Sequence, residues 1–223
     1  MIRLYGFPSS NYANMVRLAL LAKGISFEYV LTYPDQKPET LARTPRGKLP
    51  YIETERGFLN ETGAILEYLE DLGQGPRLLP ADPHERAYVR ALMKEIELYI
   101  ELPARTCFLE AFFGGTCPEA VKALAKDNLA AGFAALARHG RFSPYVAGDA
   151  FTLADIVFLY SVDIANAVSK GLFGRDLLAG YPPMVALLAK LAEDPHVQAI
   201  ARERDAAHAG FVAAIRRKLG LAS

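Results

Sequence analysis

The sequence has few cysteines, no long apolar run and no excess of either charge. Its two cysteines, Cys107 and Cys117, form no CxxC motif, so they provide no framework for a disulfide-stapled secreted fold and fit a reducing cytoplasm. The 25 basic and 25 acidic side chains balance, which argues against a nucleic-acid binder and against a polybasic membrane-surface protein. There is no uninterrupted apolar stretch of roughly 18 residues, so we expect no transmembrane helix.

Histidine is equally sparse and unfavourably spaced for a metal. The four histidines, His84, His139, His196 and His208, include no i, i+4 pair, and none of them neighbours a cysteine. Because zinc sites are built from closely spaced histidine and cysteine ligands, we expect no metal.

What the sequence does have is core material. Hydrophobic residues make up 52% of the 223 residues and charged residues 22%, which excludes a chain that is disordered as a whole. The length fits one large domain or two small ones.

The first 75 residues alternate between strand and helix patterns. Short apolar or period-two runs predict strands, and runs with a 3.6-residue period predict helices. Asn60 is expected to cap the last of these helices. The resulting order, β-α-β, then α, then β-β-α, predicts a small open α/β domain. The predicted strands are 2–6, 26–31, 49–54 and 57–59, and the predicted helices are 12–23, 39–43 and 61–72.

The segment 76–83 is rich in proline and is predicted to be a linker. After it the strand patterns disappear, so residues 84–223 are predicted to form an all-helical domain. We expect a long helix over 84–113, bent at Pro103, which has no N–H to donate. The other predicted helices are 118–138, 152–168, 183–192 and 195–219.

Polar residues stand at the first strand-to-helix turn, in Pro8-Ser9-Ser10-Asn11. A helix N-terminus concentrates unpaired N–H groups and about half a positive charge. A hydroxyl there can donate to a bound anion such as a thiolate. The alternative is plain N-capping, which on this motif alone is the more frequent role of such residues.

Two further motifs allow a comparable choice. Pro50 is unusual at the start of a strand, and a cis peptide before it would turn the backbone groups of Leu49 outward; the alternative is an edge strand. Glu61 and Thr62 begin a helix, where they can grip an amine and a carboxylate, or simply complement the helix dipole.

The order of these motifs resembles the thioredoxin-like, glutathione-binding domain of the soluble glutathione transferases. Nearly all of residues 1–72 follow that pattern, and the helical second domain matches the family's C-terminal half. There, Thr152-Leu-Ala-Asp155 resembles the family's buried N-capping box, in which a threonine caps the helix and an aspartate bonds back to the threonine's N–H. The resemblance implies a bacterial, serine-type member.

The resemblance also implies which residues hold glutathione. Ser10 lies seven residues before Arg17, the usual serine spacing, and is expected to donate to the sulfur. Asn11 and Ser9 are the next candidates, and Tyr5 is the last. Because Ser10 occupies the position of a redox cysteine, thiol–disulfide exchange at this turn lacks its nucleophile. The glutathione-binding residues implied are Lys48, Leu49, Pro50, Glu61 and Thr62.

The acceptor site is expected between the two domains, lined by Phe7, Tyr12, Tyr99, Arg105 and Phe108. The leading hypothesis is therefore a cytoplasmic, homodimeric glutathione transferase that adds the glutathione thiolate to small hydrophobic electrophiles, as in detoxification. It implies glutathione as co-substrate, with no metal, nucleic acid or membrane. The alternatives are a glutathione-dependent cis–trans isomerase of the maleylacetoacetate-isomerase type and a non-catalytic glutathione-binding module.

Overall fold

The computed structural model describes residues 1–221, which group into two compact units. The first unit contains residues 1–79 together with 195–207, and the second contains 80–194 and the residues from 208 onward. This division differs from the predicted bounds 1–75, 76–83 and 84–223: the linker is shared between the units, and 195–207 group with the first one.

A four-stranded mixed sheet forms the centre of the first unit. The strand order is β2-β1-β3-β4; β1 and β2 are parallel, and the other two pairs are antiparallel. This is the predicted arrangement of a β-α-β unit followed by a hairpin and a helix. The elements are β1 (Ile2–Gly6), α1 (Asn11–Ala22), β2 (Phe27–Leu31), α2 (Pro38–Leu41), β3 (Tyr51–Thr54), β4 (Gly57–Asn60) and α3 (Thr62–Asp71).

Alternation along β1 decides which face of the sheet is covered. Ile2, Leu4 and Gly6 are buried, whereas Arg3 is exposed between them. Helices α1 and α3 pack on each other and on the strands. At Gly6 the approach is very close, since an added Cβ would lie 2.7 Å from the Cβ of Ala13. Glycine at the end of β1 therefore lets helix α1 start directly against the sheet.

The start of α3 differs from the prediction. Asn60 is the last residue of β4 and pairs with Tyr51, so it does not cap the helix. Glu61 takes the cap position instead, with a φ of 66°, and makes no side-chain capping bond. Strand pairing thus outweighs the capping preference of asparagine at this position. Strand β3 also begins two residues later than expected, at Tyr51.

A buried ion pair holds residues 76–79 onto the first unit. Lys23 Nζ donates to Glu70 Oε2 at 2.8 Å and to the carbonyl of Pro76 at 2.9 Å. Glu70 also accepts from the N–H groups of Leu78 and Leu79. Burial opposes ionisation of Glu70, but Lys23 and these N–H groups outweigh it and lower the pKa of Glu70.

The second unit is helical, as predicted. Its elements are α4 (Pro83–Ile96), a π-helical turn (Glu97–Glu101), α5 (Leu102–Arg105), α6 (Phe108–Phe113), α7 (Glu119–His139), α8 (Leu153–Phe173), a 3₁₀ turn (Leu178–Gly180) and α9 (Pro182–Ala192). Helix α10 (Pro195–Lys218) contributes its residues from His208 onward.

A single helix bent at Pro103 was expected over 84–113. The observed helix is interrupted before Pro103 and at more than one place. The turn widens at Glu97–Glu101, where the N–H of Leu102 bonds to the carbonyl of Glu97. Pro103 cannot donate to the carbonyl of Tyr99, as a regular helix would require. That carbonyl instead lies against α7, so close that a Cβ added at Gly132 would be 2.3 Å from it.

The predicted capping box at the start of α8 is present. Asp155 accepts hydrogen bonds from the N–H and the hydroxyl of Thr152 and from the N–H of Val146. The hydroxyl of Thr152 in turn accepts from the N–H of Ala154. Asp155 is fully buried, and this burial raises its pKa to about 6, although its hydrogen bonds favour the charged form.

Helix α8 is long and apolar enough to cross a membrane by length and composition alone. More than half of its most apolar window is buried, and it packs on α4, α5, α6 and α7. That surrounding is typical of the core helix of a globular unit, so the length of α8 is weak support for a membrane span.

Candidate functional site

Strand register brings the three predicted binding segments to one end of the sheet. Tyr51 pairs with Tyr5 on β1 and with Asn60 on β4. The Leu49–Pro50 segment directly before Tyr51, the Ser9–Asn11 turn that follows β1, and Glu61 directly after Asn60 therefore leave the sheet at the same end. This juxtaposition follows from the mixed topology, in which β3 runs opposite to both of its neighbours.

Ser10 caps helix α1. Its Oγ accepts a hydrogen bond from the N–H of Ala13 at 3.2 Å, and the residue is 8% exposed. A hydroxyl has one proton to donate in addition to its acceptor lone pairs. Accepting from Ala13 leaves that proton available, so capping and donation to a bound anion are compatible roles for Ser10.

The neighbours of Ser10 have different surroundings. The Oγ of Ser9 is buried without a hydrogen-bond partner, whereas Asn11 is half-buried as the first residue of α1. Asn14 fixes the turn by donating to the carbonyl of Pro8 at 2.8 Å. Asn14 was not predicted as part of the site, because an asparagine inside a helix pattern gives no local sign that it braces the preceding loop.

Tyr5 is occupied elsewhere. Its hydroxyl donates to Glu53 Oε2 at 2.6 Å, and its ring stacks on Tyr51 with centroids 4.5 Å apart. Burial and the bond to Glu53 raise the pKa of Tyr5. The hydroxyl is thus engaged with a carboxylate within the sheet, which fits its last place among the candidate donors.

The peptide bond between Leu49 and Pro50 is cis, as predicted. Lys48 is exposed, Leu49 is partly exposed and Pro50 is buried. Gly47 precedes them with a φ of 61°, and an added Cβ would lie 1.8 Å from the carbonyl oxygen of Asp35. A second cis bond, before Pro144, was not predicted.

Glu61 has an unusual backbone for a non-glycine residue. Its φ of 66° and ψ of 114° lie outside the common regions, and its side chain is exposed. Such strain is concentrated at functional sites. Thr62 follows as the first residue of α3 and is half-buried, so both predicted side chains stand at the N-terminus of this helix.

A buried arginine, Arg17, lies on α1 about two turns after Ser10. Arg17 donates to Glu203 of α10 at 2.8 Å and stacks over the ring of Tyr29 at 4.5 Å. Its Nε and Nη1 are buried without hydrogen-bond partners. Burial raises the pKa of Tyr29 to about 12. No local pattern in the sequence predicts this burial or the partner of Arg17.

The residues predicted to line the acceptor site make different contacts in the two units. In the first unit, Phe7 stacks on Tyr33 with centroids 5.4 Å apart, and Tyr12 is half-buried. In the second unit, the guanidinium of Arg105 lies 4.9 Å from the ring centroid of Phe108. Tyr99 is half-exposed and lines a separate groove against α7.

The charge of Arg105 is matched within its own helical segment. Its Nη2 donates to Glu101, whose carboxylate is fully buried at the end of the π-helical turn.

Residues 1–221 contain no group of three histidine, cysteine, aspartate or glutamate side chains placed to hold a metal ion.

Comparison with known proteins assigns the family. Residues 4–77 match the N-terminal domain of glutathione S-transferases, and residues 119–190 match the C-terminal domain. A glutathione S-transferase from Pseudomonas putida is 53% identical over 97% of this chain and 98% of its own length. The maleylpyruvate isomerase of a Ralstonia species is 31% identical over 74% of this chain and 82% of its own.

A solved structure supports the same assignment. Gtt2 from Saccharomyces cerevisiae superposes with a TM-score of 0.74 at 26% identity, covering 89% of this chain and 99% of its own. The thioredoxin-like sheet followed by a helical unit is that of a glutathione-using transferase. The chain belongs to the glutathione S-transferase family, and it is an enzyme with glutathione as its co-substrate.

Proposed function

We propose that Ser10 stabilises the thiolate of bound glutathione, which then attacks a small hydrophobic electrophile. The supporting observation is the register that gathers Ser10, Leu49–Pro50 and Glu61 at one end of the sheet. A free thiol has a pKa of about 8.5, and only the thiolate is a strong nucleophile. The hydroxyl proton of Ser10 and the positive end of α1 both favour that thiolate.

The remaining residues at this end position the tripeptide. The backbone of Leu49, held by the cis bond to Pro50, pairs with the cysteinyl part of glutathione. Glu61 binds the γ-glutamyl amine, and Thr62, with the free N–H groups of α3, binds its carboxylate. The exposed Lys48 is placed to reach the glycine carboxylate.

Calorimetric titration with glutathione tests the binding site directly. The unmodified protein should bind saturably, and Glu61→Ala should abolish binding. If the unmodified protein binds glutathione and Glu61→Ala binds it equally well, the proposed role of Glu61 is wrong.

The role of Ser10 is tested by Ser10→Ala. We expect the thiolate absorbance of bound glutathione at pH 7 to disappear, because the sulfur regains a pKa of about 8.5. Turnover of an aromatic chloride should fall by about 10²-fold, as for other lost donors to a developing anion. Ser9→Ala is the matched control and should keep both signals. An unchanged thiolate signal in Ser10→Ala would transfer the role to Ser9 or Asn11.

The pairing of Arg105 with buried Glu101 supports an uncharged acceptor. An arginine neutralised by its own helix attracts a carboxylate less than a free one does. We therefore assign Phe7, Tyr12 and Phe108 the apolar contacts with the electrophile and Arg105 a stacking contact with Phe108, whereas Tyr99 lines the groove against α7.

The alternative activity is glutathione-dependent isomerisation. It is favoured by the similarity to the Ralstonia maleylpyruvate isomerase. The maleylacetoacetate-isomerase branch typically has a cysteine after its serines, where this chain has Asn11. Turnover of a cis-diketo acid compared with an aromatic chloride separates the two activities.

We also propose that the protein is a cytoplasmic homodimer, with no nucleic-acid or membrane partner. A groove of about 340 Å³ in the second unit supports a second copy as occupant, since its lining includes Tyr99, Pro103 and Gly132. Leu98, which also lines it, is 47% exposed. Together with the half-exposed Tyr99, Leu98 gives the groove exposed apolar surface that a second copy would cover.

Leu98→Glu tests this interface. A buried charge should weaken the dimer, so the mass measured by analytical ultracentrifugation should shift towards that of the monomer. Leu124→Glu is the control, because Leu124 is 64% exposed on α7 and does not line the groove. A monomeric unmodified protein would contradict the proposal.

A further inference from the structure

The two cysteines of the chain lie on either side of one residue, Thr106. The thiol of Cys117 donates to the backbone carbonyl of Thr106 at 3.6 Å. The hydroxyl of Thr106 donates to the carbonyl of Pro103 and lies 3.7 Å from the sulfur of Cys107. Because the Thr106 carbonyl belongs to the peptide bond that Cys107 completes, the sulfur of Cys117 is one hydrogen bond from the backbone of Cys107.

The connecting segment is fixed so that Cys117 keeps this position. Cys107 directly precedes α6, and Cys117 lies two residues before α7. The N–H of Cys117 donates to Glu110 Oε2 at 2.7 Å, and Lys122 Nζ donates to Glu110 Oε1 at 3.1 Å. These bonds join α6 to the start of α7 and hold Cys117 beside the segment that contains Cys107, ten positions earlier in the sequence.

The two thiols differ in access. Cys107 is fully buried, whereas Cys117 is partly exposed. Burial raises the pKa of Cys107. A disulfide reagent reaches the exposed thiol first, so Cys117 is the sulfur that it meets and Cys107 can act only on a disulfide already formed at Cys117.

We propose that Cys117 and Cys107 form a dithiol site that reduces glutathione disulfide and closes to an internal disulfide. The ligand class is the oxidised form of the molecule that this family uses as co-substrate. Both cysteines belong to the second unit and the Ser10 turn to the first, and the proposed transferase mechanism uses neither cysteine.

Two exchange steps account for all atoms and electrons. The deprotonated sulfur of Cys117 attacks one sulfur of glutathione disulfide, breaks its S–S bond and releases one glutathione thiolate. The released glutathione thiolate takes the proton of Cys107, whose sulfur then attacks the sulfur of Cys117, forming the Cys107–Cys117 bond and releasing the second glutathione thiolate. The two protein thiols are oxidised by two electrons, and one disulfide is reduced to two thiols.

Intact-protein mass spectrometry after acid quenching and thiol alkylation tests the site. The reduced full chain is incubated with glutathione disulfide, beside Cys107→Ser and Cys117→Ser. Unmodified protein should lose two hydrogen atoms and retain no glutathionyl group. Cys107→Ser should accumulate one glutathionyl group, because the second step is blocked. Cys117→Ser should react at least tenfold more slowly than the unmodified chain.

Peptide mapping of the unmodified protein keeps the test independent of how the variants fold. A cross-linked peptide containing Cys107 and Cys117 is expected after oxidation and should disappear on reduction with excess glutathione. The proposal is overturned if the unmodified chain keeps both thiols free, or if it retains a stable glutathionyl group on Cys117 without the internal disulfide.

Discussion

At the scale of single residues, a side chain that completes the fold can retain chemistry for a ligand. Ser10 shows this, since its Oγ accepts the capping bond from Ala13 and still has a proton to donate. The sequence left capping and catalysis as alternatives for Ser10, but one hydroxyl can perform both roles.

Asp155 makes the stability of the protein depend on pH. Its pKa rises from the ordinary 3.8 to about 6, so between these values the folded state binds more protons than the unfolded state. The contribution of Asp155 is therefore greatest below pH 4 and is lost as the pH rises through about 6. A shift of this size corresponds to about 2–3 kcal/mol of unfolding free energy.

Denaturant titrations from pH 4 to pH 7 on the unmodified protein and on Asp155→Asn measure this contribution. Asp155→Asn should be less stable at every pH, because its NH₂ group faces the donors that bind the carboxylate. The stability difference between the two proteins should shrink as the pH rises. Asp149→Asn, at an exposed position, should give a constant difference near zero. A pH-independent gap for Asp155→Asn would contradict the assigned shift.

At the scale of elements, periodicity predicted most helices and strands, and the misses have tertiary causes. The short apolar run of β1 and the nearly continuous apolar run at the start of α8 are local properties, and both elements are present, although α8 ends at Phe173 rather than at 168. Asn60 was assigned as a cap, but pairing with Tyr51 keeps it in β4. The π-helical turn was not predicted either. The carbonyl of Tyr99, which lies in this turn, packs against α7, and no local sequence pattern encodes that contact.

Dependence on tertiary contacts also limits how much of the candidate site could be predicted from the sequence. Ser10, the cis bond before Pro50, and Glu61 lie in motifs whose order is visible along the chain. Asn14 and the partner of Arg17 were not predicted, because a hydrogen bond to Pro8 and an ion pair 186 positions away depend on the folded backbone.

Gly132→Ala tests the close contact between α7 and the π-helical turn. Alanine is normally the better helix former by about 0.5–1 kcal/mol. At Gly132 its Cβ would lie 2.3 Å from the backbone oxygen of Tyr99, which no rotamer change relieves. We expect a loss of about 1–3 kcal/mol. Gly210→Ala, in a helix with nothing within 4 Å, should instead gain stability. The readout is thermal unfolding, and equal gains in both variants would refute the contact.

At the scale of the whole molecule, chain order and spatial grouping differ. Residues 195–207 follow the second unit in sequence but group with the first. The contact that documents this is the ion pair between Arg17 of α1 and Glu203 of α10. The last helix of the chain therefore contributes to the unit that carries the proposed glutathione-binding residues.

Glu203→Gln tests how much the ion pair between Arg17 and Glu203 contributes to the unfolding free energy. Arg17 is buried, with Nε and Nη1 already lacking hydrogen-bond partners, so loss of the Glu203 charge leaves a buried cation uncompensated. Because Glu203 itself is about half exposed, we expect the unfolding free energy to fall by about 1–3 kcal/mol, below the range for a fully buried pair.

Replacing both partners, as Arg17→Met with Glu203→Gln, should recover part of the loss, since no unpaired charge then remains in the interior. Denaturant unfolding of the single and double variants measures the coupling between the two positions. A double variant as unstable as the sum of the two single variants would mean that the pair contributes nothing, and that residues 195–207 are held to the first unit by apolar packing.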